Sequence, residues 1–264
     1  MEFGSRLKQW RNHRRLSQMG LASEAGISTR HLSFLETGRS RPSEGMIIRL
    51  CDALEVNASE RNTLFSAAGF TPRYQRSFDD QSLPEPIAQA IDLIMENHAP
   101  YPAVLLNSCY DILRANQGYM RFANAIGVEN PVNTNMLDLL ISSEKGKSLI
   151  LNWQEVARAL ILRAKSEAWL QGPSSPLHDH LKRLMEDDDV ISAFSHDLDD
   201  NQATIPPAVL NITISLGPLE TSWITTITSF GSARDALVDG LMIEQSFPAD
   251  EQTRMLVQQT LASA

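Results

Sequence analysis

The sequence predicts a mainly α N-terminal domain of five short helices, followed by an α+β C-terminal domain built on an antiparallel sheet. Three observations lead there. The charge is divided: residues 1–78 carry twelve Lys and Arg against seven Asp and Glu, whereas residues 79–264 carry eleven against twenty-five. The apolar spacing changes too, from helical periods punctuated by Ser and Gly to runs that alternate in twos near the C-terminus. Between the two lies TPRYQRSFDDQSLPEP, rich in Pro, Ser, Asp and Gln and poor in aliphatics, which reads as a linker. The expected organisation is a domain over residues 1–70, a linker over 71–86 and a domain over 87–264.

Composition narrows the function classes. With 42% hydrophobic and 21% charged residues, the chain has ordinary globular usage and is not a mainly disordered one. Two cysteines, Cys51 and Cys109, are too few for a disulfide framework or a four-thiolate zinc site. An intracellular, reducing, cytoplasmic setting is expected. Arg6, Lys8, Arg11, Arg14 and Arg15 leave no apolar signal core at the N-terminus. The uncharged stretch 201–219 contains Pro206, Pro207 and Pro218 and alternates apolar with polar, so it reads as strand and not as a membrane helix. A basic arm on an acidic body suggests a polyanion-binding module joined to something else.

The N-terminal elements follow in order. A first helix is expected from about Gly4 to Arg14, with Leu7 and Trp10 on one face. Ser17 can cap a second, Gln18 to Glu24, which buries Leu21 and Ala22. Gly26 can take the positive φ of a helix stop. Ser28 can cap a third helix, Thr29 to Thr37, with Leu32 and Leu35 inward and Gly38 ending it. Pro42 and Ser43 open a fourth, and Ser59 is expected to cap a fifth. The second and third helices are each two turns long and unstable alone. Joined by a glycine turn and packed steeply, they form a helix-turn-helix, which lays its second helix in a DNA major groove.

The segment LSQMGLASEAGISTRHLSFLETGRSRPS resembles the Xre/Cro-type helix-turn-helix of phage and bacterial repressors, through Ser17-Gln18, Leu21-Ala22, Ala25-Gly26-Ile27-Ser28, Leu32-Ser33, Leu35-Glu36, Gly38-Arg39 and Pro42-Ser43. With Leu32 and Leu35 inward, the third helix presents Thr29, Arg30, Ser33 and Phe34, next to its cap Ser28. Arg30 suits a bidentate contact to guanine and Phe34 a thymine methyl. Gln18 is expected at a phosphate or a base edge. Arg11, Arg14, Arg15, Arg39 and Arg41 are expected to contact phosphates, which position without specifying.

Downstream, an amphipathic helix is expected over Ile87–Asn97, strands at PAVLLN and YDILRAN, and a helix from Gln117 to Ile126. A long helix follows over Lys147–Leu170, with Leu151, Val156, Leu160, Ile161 and Ala164 inward, then one over Pro176–Glu186. Val209, Ile212, Ile214 and Leu216, then Trp223, Ile224, Ile227 and Phe230, flank a Leu-Gly-Pro-Leu-Glu-Thr turn as a hairpin. A last strand, Leu241–Phe247, and a helix from Ala249 complete the α+β pattern. The order PAVLLN, YDILRANQGY, NWQEVARAL, SFGSARDALVDGLMIEQSFPAD resembles the MmyB-like ligand-binding domain that follows some Xre helix-turn-helix modules. The resemblance implies a PAS-like fold and a small apolar ligand such as a fatty acid. HDLDDNQ, at 196–202, departs from that pattern.

An apolar cavity between sheet and helices is the expected site. Candidate walls are Tyr119, Phe122, Trp153, Val156, Leu160 and Trp223. Candidate polar anchors are Asn116, Arg158 and Arg163, since an acid head group favours an arginine fork. No catalytic residue, metal or cofactor beyond such an apolar ligand is expected. Gly146-Lys147-Ser148 lacks the upstream glycine of a phosphate loop, and Ser142 with Lys145 has only the spacing of a nucleophile pair. His178 and His180, with His196, are spaced poorly for chelation. The expected protein is a cytoplasmic, homodimeric, non-enzymatic transcription regulator that binds double-stranded operator DNA and a small apolar ligand, without a membrane. The alternative is a DNA-binding regulator whose C-terminal domain binds a protein partner.

Overall fold

Three serines and an asparagine fix where the N-terminal helices begin. The structure, a computed structural model, describes residues 2–71, 83–195, 209–229 and 240–262. After α1 (Glu2–His13), the Ser17 hydroxyl accepts from the Gly20 amide at 3.0 Å and opens α2 (Gln18–Glu24). Ser28 accepts from His31 at 3.1 Å and opens α3 (Thr29–Glu36). Ser43 does so for α4 (Glu44–Ala53), from Met46 at 3.3 Å. The fifth cap corrects the expectation. Asn57, in an extended conformation, accepts from Glu60 at 2.9 Å and opens α5 (Ala58–Ala67), so Ser59 lies inside the helix. Each such oxygen satisfies one of the amides that a helix start leaves without an intrahelical partner. Gly26 and Gly38 take φ of +64° and +73°, which ends α2 and α3 without a Cβ penalty.

These five helices share one core, in which Leu7, Trp10, Leu21, Leu32, Leu35, Ile47, Leu50, Cys51, Leu64 and Phe65 are buried. Each large side chain so removed from water stabilises by about 1.5–3 kcal/mol, which is what holds two-turn helices in place. A Cβ on Gly4 would strike the Leu35 and Glu36 carbonyl oxygens, so α1 and α3 meet backbone to backbone there.

The second compact unit holds the sheet. After α6 (Glu85–His98) come β1 (Ala103–Leu106) and β2 (Ile112–Ala115), then α7 (Gln117–Ala125). Asn116 ties these together. Its Oδ1 accepts from the Ala103 amide at 3.0 Å and from Tyr119 at 2.8 Å, as the cap of α7. Its Nδ2 donates to the Met95 and Tyr101 carbonyls at 3.1 and 2.9 Å. A turn of π-helix at Asp138–Ser142 precedes α8 (Glu144–Leu149) and α9 (Trp153–Gln171). The single long helix expected over Lys147–Leu170 is therefore two. Between them Leu151 donates to the Thr213 carbonyl at 2.8 Å, and Leu151, expected inward, is 52% exposed. Then come α10 (Pro176–Leu184) and α11 (Asp188–Ser195), β3 (Leu210–Leu216), β4 (Leu219–Ser229), β5 (Met242–Pro248) and α12 (Glu251–Ala262).

The five strands form one antiparallel sheet in the order β2-β1-β5-β4-β3. In register, Ile212 faces Trp223, Thr225 faces Ser246 and Ile227 faces Glu244. Alternation places Ile212, Ile214, Trp223, Thr225, Glu244 and Ser246 on one face. An antiparallel sheet with helices lying on it is the α+β architecture that the sequence predicts. Val209 is exposed just before β3, and Phe230 and the segment 196–202 lie outside the described residues. No helix among the described residues is long and apolar enough to cross a membrane.

Candidate nucleic-acid interface and ligand cavity

Helix α3 buries Leu32 and Leu35 and turns Thr29 and Arg30 to solvent, with Ser33 and Phe34 half-buried beside them. Two guanidiniums approach the Phe34 ring: Arg30 is 5.4 Å from its centroid and Arg39 is 6.0 Å. Both contacts are cation–π in kind and hold the two charges over one helix face. Arg39 and Arg41 are exposed in the turn that follows. The Ser28 hydroxyl is engaged in its cap. Met19, 72% exposed on α2, is an apolar residue on the surface that the sequence reading did not single out.

Two arginines assigned to phosphate are internal braces instead. Arg11 is buried. Its Nε and Nη2 meet the two Glu36 oxygens at 2.6 and 3.1 Å, and its Nη1 donates to the Leu16 carbonyl at 2.9 Å. Gln18 donates to Glu36 Oε2 at 2.8 Å, so it belongs to the same network and not to a phosphate site in this arrangement. Arg14 donates to the Leu54 and Glu55 carbonyls at 2.9 and 3.1 Å, stacked on Trp10, and serves the open carbonyls at the end of α4.

In the sheet unit, a cavity of about 300 Å³ lies between that face of the sheet and α7, the π-turn and α8. Its sheet side is Ile212, Ile214, Trp223, Thr225, Glu244 and Ser246, and its helix side includes Tyr119, Phe122, Met136, Leu139, Leu140 and Leu149. Phe122 meets Trp223 edge to face at 6.2 Å. Burial, with the negative charge of Glu244 second, holds the Tyr119 phenol above its usual range, so it stays protonated. Lys145 stands exposed at the rim, its ammonium on the Gly127 carbonyl.

Residues 87–259 match the family described as MmyB-like transcription regulator ligand binding domain. The chain belongs to this MmyB-like family. Residues 2–64 match a helix-turn-helix domain family, so a DNA-binding type of module precedes the MmyB-like domain. Curated proteins offer no match. A solved structure described as that of an RNA-binding Light-Oxygen-Voltage receptor aligns at 12% identity and a TM-score of 0.27, across 100% of this chain and 64% of that one. A likeness that weak decides nothing about the fold.

Of the nine ligand residues expected from sequence, Tyr119, Phe122 and Trp223 line the cavity of the MmyB-like domain. The other six are not part of its wall. Asn116 has its amide committed to four backbone groups. Trp153 donates its indole N–H to the Leu140 carbonyl at 3.0 Å. Val156 and Leu160 are plain core of α9, and Arg158 and Arg163 are half-buried on the same helix away from the cavity. The expected arginine fork is absent from the described wall, and a carboxyl stands there instead. Its signal in the sequence was an acidic residue in the middle of LMIEQSF, at the same strand parity as Met242 and Ser246.

The rejected chemistries have structural explanations. A Cβ on Gly146 would strike the Leu139 and Leu140 carbonyl oxygens, so that glycine serves close packing of α8 on the π-turn. Lys147 pairs with Asp187 at 2.9 Å and with Asp189, which together hold its ammonium well above the usual lysine range. His180 Nε2 sits 2.8 Å from Asp138 and fastens α10 to the π-turn. No group of three or more His, Cys, Asp or Glu among the described residues could hold a metal.

Proposed function

We propose that the protein is a cytoplasmic, ligand-responsive transcription regulator that binds operator DNA as a homodimer and answers to a small apolar molecule. The observation that carries the DNA reading is the exposed edge of α3, where Arg30 and Arg39 flank Phe34 next to Thr29. That edge offers a bidentate donor and an apolar contact to a major groove. Two copies about 34 Å apart read a palindromic site. The largely apolar wall of the 300 Å³ cavity supports the ligand reading, at the small end of ligand-site volumes. The fatty acid implied by the resemblance is the first ligand to try there.

Fluorescence anisotropy with a duplex from upstream of the protein's own gene tests the reading. Binding that weakens with salt, and changes when an apolar ligand is added, is expected. Absence of binding at low salt, with folded protein present, overturns it. Ligand changes DNA affinity only by binding the DNA-competent and incompetent arrangements unequally.

A further inference from the structure

A second, smaller chamber adjoins the cavity on the same face of the sheet. It holds about 100 Å³ and lies between α7, α12 and the hairpin end of β3 and β4, with Leu216, Thr221 and Leu256 in its wall. Pro102, Phe122 and Trp223 line both chambers, so the Phe122–Trp223 pair is the partition between them. One side of that partition is tethered. The Trp223 indole N–H donates to Thr221 Oγ1 at 3.0 Å, and the Thr221 hydroxyl donates to the Ile214 carbonyl at 3.3 Å. Phe122, half-buried, meets Trp223 edge to face and has no polar atom to tether it. Its neighbour Arg121 is the one charged side chain among the described lining residues of the smaller chamber. Arg121 is half-buried, and no hydrogen bond or ion pair joins its side chain to another described residue. Its place on α7 is fixed, because a Cβ on Gly118 would strike the Pro100 and Tyr101 carbonyl oxygens and the helix is pressed against that segment. A guanidinium beside an apolar wall gains most from an anion that accepts two of its N–H groups at once.

We propose that one single-chain anionic amphiphile spans both chambers, with its head in the fork of Arg121 and its tail running between Phe122 and Trp223 into the larger cavity. Arg121 is then the residue that selects the head group. The inference rests on the ligand-cavity reading above and deepens it. At about 30 Å³ per water-sized group, the smaller chamber takes about three such groups and the larger on the order of ten. A carboxylate has three heavy atoms, so an acid of about ten carbons matches the two spaces together.

Isothermal titration of the full chain with decanoate, decan-1-ol and butanoate at neutral pH tests this on the wild type, Arg121→Gln and Lys145→Gln, each checked for folding by circular dichroism. Lys145, the cation at the rim of the larger cavity, is the rival anchor for an anionic head. The wild type is expected to bind decanoate about tenfold more tightly than decan-1-ol, or better. It is expected to bind decanoate about a hundredfold more tightly than butanoate, or better, since the short tail stays within the smaller chamber. Arg121→Gln is expected to erase the preference for acid over alcohol while decan-1-ol still binds, and Lys145→Gln to keep it. Should Arg121→Gln not fold, Arg121→Lys decides in its place: a weaker preference supports the proposal and an unchanged one overturns it. Decan-1-ol as tight as decanoate on the wild type, a preference unchanged in folded Arg121→Gln, a preference lost in Lys145→Gln alone, or decanoate no tighter than butanoate each overturns it. If folded wild type binds none of the three, the ligand-cavity reading itself falls, and this selectivity with it.

Discussion

Arg30 and Arg11 carry the same guanidinium into opposite surroundings. Arg30 is exposed over Phe34, whereas Arg11 is buried against a Glu36 whose side chain is 2% exposed. Replacing Arg30 with Ala is expected to weaken operator binding by about 1–3 kcal/mol while non-specific binding holds, measured by anisotropy on operator and scrambled duplexes. Equal loss on both would move Arg30 to the phosphate-contacting class. Replacing Arg11 with Ala strands a buried carboxylate and is expected to destabilise the fold by about 3–5 kcal/mol, read as a lower denaturant midpoint. The exposed residues of α3 were legible from the Leu32–Leu35 spacing alone. The role of Arg11 was not, because its partner Glu36 lies on another helix. A third residue sets a pH dependence. His98 is buried on α6 with its Nε2 2.9 Å from the Ser246 carbonyl, and burial holds its pKa below the usual 6.5. The folded state therefore favours neutral imidazole. That contribution is present above pH about 6.5 and is lost as pH falls from there through the lower folded value. A denaturation series is expected to show stability dropping on acidification, with a smaller drop in His98→Gln.

Helix ends were readable where a local signal sets them and unreadable where another element does. Ser17, Ser28, Ser43 and the glycines after α2 and α3 act within a few residues of chain, and those boundaries agree to within a residue or so. The division between α8 and α9 is different, since the apolar period runs on through it. What breaks it is β3. Asn152 donates to the Asn211 carbonyl and accepts from the Thr213 amide, each at 3.0 Å, so its amide stands in for a strand residue. No window of sequence around 147–170 contains that partner. The cavity shares this origin: Trp223 and Phe122 were legible as aromatic wall, but Glu244 and Ile212 join them only through strand register. Close helix approach gives the prediction at this scale. Gly4→Ala places a methyl against the α3 carbonyls and is expected to cost about 1–3 kcal/mol, measured by thermal melting; an unchanged melt would mean that α1 shifts freely.

A regulator that joins a DNA module to a ligand cavity obeys a reciprocity. If a ligand changes DNA affinity by some factor, DNA must change ligand affinity by the same factor. Titrating a fatty acid into the protein with and without saturating duplex is expected to return the ratio that anisotropy gives for DNA with and without that fatty acid. Unequal ratios would show that the two occupants do not act on one equilibrium. The sheet bears on how two copies associate. Leu151 and Asn152 occupy the outward groups of Asn211 and Thr213 on β3. At the opposite margin, Ile112 of β2 donates to Thr134 and accepts from Asn133, both at 2.8 Å. At these residues each rim of the sheet is closed by the chain's own backbone and side chains, so a neighbouring copy finds no open ladder to extend there. At those residues the closure guards the sheet margins against edge-to-edge stacking of one copy on another.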